Sequence, residues 1–109
     1  MADPRVRQIK IKTGVVKRLT KEKMSYEKES KQQEEKIEKM KADGKDEYDI
    51  KKQIEVLGEC KLMIPDSLKR LNVAYEELTK LLEKEEDLKE TEEYKAAQTV
   101  LQEATAVMG

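Results

Sequence analysis

The chain has 109 residues, 37% of them hydrophobic and 43% charged, with a formal net charge of −1, no His, no Trp, no Phe and a single Cys. This length bounds one small domain, 1–109, and four Tyr as the sole aromatics leave it a thin aliphatic core, which excludes a deep substrate pocket. Without His the commonest general base and metal ligand is missing, and the excess of Lys, Glu and Leu is that of long helices or of disorder, between which periodicity decides.

The opening ADPRV is a helix start. Asp3 can accept a hydrogen bond from the first free backbone N–H groups, and Pro4 suits the first helical position because its missing donor is not needed there. From Pro4 to Lys41 apolar residues recur at helical spacing: Ile9, Val16, Leu19, Tyr26, Ile37 and Met40. The same seam carries Lys12, Lys23, Ser30 and Gln33, so its middle is not a dry core. The first helix is expected over about 4–41.

A break follows at ADGKDEYD, where Gly44 suits the left-handed conformation that ends a helix and Asp46 or Asp49 caps the next. The second helix, expected over about 47–85, has the cleanest pattern: Ile50, Ile54, Leu57, Ile64, Leu68, Leu71, Tyr75, Leu78 and Leu82 fill nine of ten consecutive seam positions, with Lys61 the exception. Disorder is excluded by that regularity. Both helices would be about 60 Å long, which matches them as an antiparallel hairpin. Pro65 lies inside the second, and because the apolar phase passes through it unchanged, one kinked helix is expected in preference to a break at 63–66.

The acidic stretch EKEEDLKETEEY carries the second connection, with Asp87 or Thr91 as cap, and a third helix is expected over about 90–107 with Tyr94, Ala97, Leu101, Ala104 and Met108 on its seam. The fold class is therefore all-α, an antiparallel up-down-up three-helix bundle with two long helices and one short. The short helix covers half of the hairpin and leaves the other half two-stranded.

Residues 1–23 carry eight Lys or Arg against two acids, and residues 85–109 two against seven. The bundle would set the basic start of the first helix beside the acidic start of the third, where the two fields neutralise each other. No aromatic residue interleaves with the basic residues and no binding motif accompanies them, so nucleic acid is not an expected partner. Elsewhere Glu and Lys recur four apart, as in Glu27 with Lys31 and Glu76 with Lys80, the pattern of solvated helix faces.

Off the seam of the second helix, Val56, Cys60 and Met63 form a narrower apolar stripe, with Tyr48 and Leu62 nearby. Two readings stay open: an exposed contact surface for a partner, or residues that a bend at Pro65 rotates into the hairpin. Val73 and Leu81 are expected to face the third helix. Cys60 has no His to activate it and no second Cys to pair with, which reads as a chain of a reducing compartment. With no apolar leader and no run of 18 or more apolar residues, a cytosolic protein without a membrane anchor is expected.

RVRQIKIKTGVVKRL, KQQEEKIEKM, YDIKK, MIPD and EEYKAA, in this order, resemble the family of tubulin-specific chaperone A, or tubulin-folding cofactor A, over residues 1 to about 102. That resemblance implies a monomeric three-helix bundle in the cytoplasm, associated with the cytoskeleton, that is not an enzyme and uses no cofactor. It would capture β-tubulin folding intermediates released from the cytosolic chaperonin and pass them, with the other tubulin cofactors, toward heterodimer assembly. Candidate contact residues, inferred from the uncovered half, are Lys23, Tyr26 and Gln33 on the first helix and Tyr48, Val56, Cys60 and Met63 on the second. The alternative carried by the heptads alone is a coiled-coil oligomerising subunit of a cytoskeletal assembly.

Overall fold

The computed structural model describes residues 3–108; Met1, Ala2 and Gly109, the ends of the expected domain range, lie outside the described residues. Three helices are present, α1 (Pro4–Ala42), α2 (Glu47–Lys84) and α3 (Glu92–Met108), with a single 3-10 turn at Glu86–Leu88 before the last. Together they form an elongated bundle measuring 64 × 25 × 17 Å.

Local chemistry accounts for each boundary. Asp3 accepts the Arg5 N–H at 2.9 Å and Pro4 opens α1. At the other end Gly44 adopts φ 70°, which lets its own N–H reach the Lys41 carbonyl at 3.2 Å and the Lys45 N–H reach the Met40 carbonyl at 3.0 Å. That pair of bonds is the Schellman arrangement, and it satisfies carbonyls that the helix end leaves without partners. Of the two aspartates offered as the next cap, Asp46 serves, accepting the Tyr48 N–H at 3.1 Å. Thr91 caps α3, its Oγ1 accepting the Tyr94 N–H at 3.3 Å while donating to the Leu88 carbonyl at 2.7 Å. The helix therefore starts two residues later than the acidic run suggested.

Helix α2 passes Pro65 as one continuous element, which removes the alternative of two helices broken at 63–66. Two residues beyond it the hydroxyl of the fully buried Ser67 donates to the Ile64 carbonyl at 2.9 Å. Ser67 and Ala74 are core positions that the hydrophobic pattern did not mark, because small side chains carry little periodic signal although they permit close helix approach.

The core gathers where all three helices meet: Ile9, Val16 and Leu19 of α1, Leu71, Ala74, Leu78 and Leu82 of α2, and Tyr94, Ala97 and Ala104 of α3. Helix α3 has 17 residues against 39 and 38 in the long pair, so it covers one half of the hairpin. In the other half Ile37 is buried, Ile50, Leu57 and Ile64 are half-buried, and Ile54, expected on the seam, is 46% exposed.

Two expectations about the third helix are corrected. Val73 does not face α3: it is 54% exposed and borders a hollow between α1 and α2 with Val15 and Leu19. Leu81 packs against the core, and its outer edge borders a second hollow between α1 and α2, beside Gln8 and Lys12. The basic start of α1 does lie beside the acidic start of α3, Lys10 and Thr13 bordering one hollow with Glu92 and Glu93. Arg5 turns to the α2–α3 connection, with its guanidinium 2.9 Å from both Glu85 and Asp87.

Arg5 thereby ties the first turn of α1 to the end of α2, and Glu85, itself buried, depends on that cation. The Arg5 side chain, with its backbone N–H second, also holds the Asp3 carboxyl below the usual carboxylate range. A carboxylate with a lowered folded-state pKa contributes stability above its unfolded value near about 3.9, and that contribution is lost as pH falls through the folded-state value. Arg5→Gln is expected to lower Tm at neutral pH, by a margin that shrinks in 1 M salt on the order of the screening expected for exposed charges. In Asp3→Asn, which keeps a capping oxygen, stability should fall less steeply than in the parent as pH drops below about 4. Thermal melts over pH and salt check both.

Candidate partner-binding surface

The hairpin beyond the reach of α3 presents a different surface from the three-helix half. Its interior is partly polar. The Gln33 amide donates to the Gln53 backbone carbonyl at 3.0 Å and to the Gln53 Oε1 at 2.8 Å, joining α1 to α2 through hydrogen bonds, and Ser30 is buried beside that contact. On the outside Lys61 pairs with Glu34 at 3.0 Å.

Along α2, Tyr48, Val56 and Met63 recur at eight and seven residues, close to whole helical turns, and share one face about 22 Å long. All three are open to solvent: Tyr48 is 64%, Val56 42% and Met63 36% exposed, with Leu62 at 71% beside them. This removes one of the two readings of the stripe, since Pro65 does not rotate Val56 or Met63 into the hairpin. The Tyr48 ring lies 5.5 Å from the Lys52 ammonium, which holds the ring at the near end of the strip. Cys60 is a free, half-buried thiol on the inner margin of the same strip.

Of the seven candidate residues, Tyr48, Val56 and Met63 form this exposed strip with Cys60 at its edge, while Tyr26 is half-buried on α1 and Gln33 is committed to Gln53. Lys23 stands apart and is corrected. It is 8% exposed and lies under the end of α3, its ammonium bound to Glu27 one turn along α1 and to the Val107 carbonyl at 2.9 Å. The last turn of α3 has no basic residue of its own, so Lys23 supplies a cation to that helix end from the neighbouring helix. Heptad spacing identified Lys23 as a seam residue but carried no sign of a partner 84 residues away.

Met24 and Ile11, at 54% and 48% exposure, are further apolar surface positions on α1. Among the described residues no group of three His, Cys, Asp or Glu converges as a metal-holding set, and no helix is long and apolar enough to cross a membrane. What the hairpin offers is contact area: an apolar strip on α2, flanked by the exposed carboxylates of Glu55 and Glu59.

Comparison with known proteins gives a consistent result. The family model described as Tubulin binding cofactor A matches residues 4–101. A chicken (Gallus gallus) protein named tubulin-specific chaperone A is 66% identical over 102 residues, covering 94% of this chain and 94% of that protein. The solved structure of human tubulin chaperone cofactor A superposes with a TM-score of 0.82 at 62% identity, over 94% of this chain and 99% of that one. The crystal structure of tubulin folding cofactor A from Arabidopsis thaliana gives a TM-score of 0.87 at 40% identity, over 94% and 97%.

Proposed function

This chain belongs to the Tubulin binding cofactor A family, and from that membership we propose that it is a tubulin-folding chaperone that captures β-tubulin folding intermediates released from the cytosolic chaperonin. It acts without ATP, as a monomeric unit spanning 1–109 in the cytoplasm, and passes its client toward αβ-tubulin assembly alongside the other tubulin cofactors, in association with the cytoskeleton. No bond is made or broken in this role; the chain holds apolar surface of the client away from water until assembly buries it.

The observation that carries the reading is the family match across nearly the whole chain. The exposed strip of Tyr48, Val56 and Met63 supports it, because a Met-containing apolar surface on a solvated helix is an adaptable contact for a partly folded protein. Native gels of the chain with β-tubulin or α-tubulin, without nucleotide, test it: capture of β-tubulin alone is the expected result, and equal capture of both, or of neither, ends the proposal. Replacing both Val56 and Met63 by Glu should weaken capture by about tenfold or more with little change in Tm, since neither side chain is in the core. A concentration-independent monomer in light scattering separates this reading from a coiled-coil oligomeriser, which would be a dimer.

A further inference from the structure

The three-helix half carries a second surface, between α1 and α3. Arg7, Lys10, Lys17 and Lys21 follow one another along one face of α1 at offsets of 3, 10 and 14 residues from the first. Among the described residues none of these four has a carboxylate within 4.0 Å, whereas Arg5, Lys12, Arg18 and Lys23 are all paired. Ion pairs tie α1 to α2 and to the α2–α3 connection, yet none among the described residues ties α1 to α3. Among the described residues the hydrogen bond that does so is the one from Lys23 to the Val107 carbonyl.

Above that bond the two helices leave a groove of about 430 Å³. Its floor is Thr20, Met24, Val100 and Val107, its α1 rim is Lys17 and Lys21, and Glu103 stands on the α3 rim. Met24 is 54% exposed on this floor. The α1 anchors, Lys17, Lys21 and Met24, are spaced i, i+4, i+7, and those of α3, Val100, Glu103 and Val107, are spaced i, i+3, i+7. Two helices flanking an apolar floor, with cations that close no ion pair along one rim, form a seat for a third helix.

We infer that this groove receives an amphipathic helix of the folding client, its apolar stripe on Met24, Val100 and Val107 and its carboxylates along the flank that lies on Lys17 and Lys21. The inference rests on the tubulin-folding reading for the source of that helix, and on the groove's own chemistry for the helix's character. Further up α1, Lys10 shares a hollow with Glu92 and Glu93 of α3, so the positive field that steers an acidic helix to the groove is that of Lys17 and Lys21. The client would then be held at two places, on the α2 strip and on this groove.

The test is an amide-shift titration of the full isotope-labelled chain with a stapled helical peptide carrying a Leu stripe flanked by Glu, and with the same peptide in which each Glu is Lys. Shifts should localise to 17–24 and 100–107, the Glu peptide should bind about tenfold or more tightly than the Lys peptide, and Lys17→Glu with Lys21→Glu should abolish that preference without lowering Tm. Equal binding of the two peptides, shifts confined to 48–63, or a dimer of the chain occupying the groove overturns it. Capture of β-tubulin separates the two proposals: if the parent and the doubly substituted chain capture it equally, the groove is not used and the tubulin reading stands. If the parent captures none, the tubulin reading falls, while the peptide titration still judges the groove.

Discussion

Leu71→Ala is expected to remove about 2–5 kcal/mol of unfolding free energy, the cost of deleting a buried Leu side chain and leaving a cavity. Leu71 has no exposed surface and belongs to the cluster where α1, α2 and α3 meet. Few other large side chains are as deeply buried: Ile9, Val16 and Leu78 are the apolar ones, and each belongs to the same cluster. A small helical domain with about 5–15 kcal/mol in hand has little surplus to absorb such a loss. Urea unfolding followed by circular dichroism measures it. A midpoint that barely moved would mean that the cluster collapses around the smaller side chain and that stability is spread along the hairpin.

Tyr94→Ala should cost a comparable amount, about 3–5 kcal/mol for a large buried aromatic, but distribute it differently. Tyr94 is 7% exposed at the start of α3, and its hydroxyl donates to the Leu82 carbonyl at 3.1 Å. That carbonyl belongs to the last turn of α2, where helix geometry supplies no backbone N–H donor, so one side chain both fills the core and completes the end of another helix. Hydrogen exchange should show protection lost first over 95–108, with the α1–α2 hairpin retaining more. Tyr94→Phe isolates the hydroxyl and should cost about 0.5–1.5 kcal/mol. Uniform loss of protection in the Ala variant would show α3 and the hairpin to be one cooperative unit.

Much of the architecture was legible from the sequence where the governing chemistry is local. Asp3 with Pro4, Gly44 and Asp46 each act within a few residues of their own position, and they place three of the helix ends to within a residue or so. Continuity through Pro65 was readable because the apolar phase on either side agrees. What was not legible depends on how helices are rotated against each other. Val73 was assigned to α3 on its helical phase alone, yet the phase at which a third helix meets a hairpin is set by packing of all three. Lys23 was readable as a seam position, but its burial beneath Val107 arises from tertiary approach. The candidate strip was half legible: periodicity grouped Val56, Cys60 and Met63, and the structure was needed to show which of them solvent reaches. The α1–α3 groove left no mark in the pattern, since its floor comes from two helices about 80 residues apart and its rim looks like ordinary solvated charge.

The Gln33–Gln53 contact bears on how the long hairpin finds one alignment among several. Two helices of nearly equal length with repetitive aliphatic seams can slide past each other by a turn and still bury hydrocarbon, so apolar contact alone discriminates poorly between neighbouring registers. A slip of one turn would set the Gln33 amide against Leu57, where no side-chain acceptor answers it. The most polar stretch of the seam therefore works as a key: it gives up some hydrophobic contact and in return makes the native alignment the one in which the Gln33 amide is answered across the helix pair.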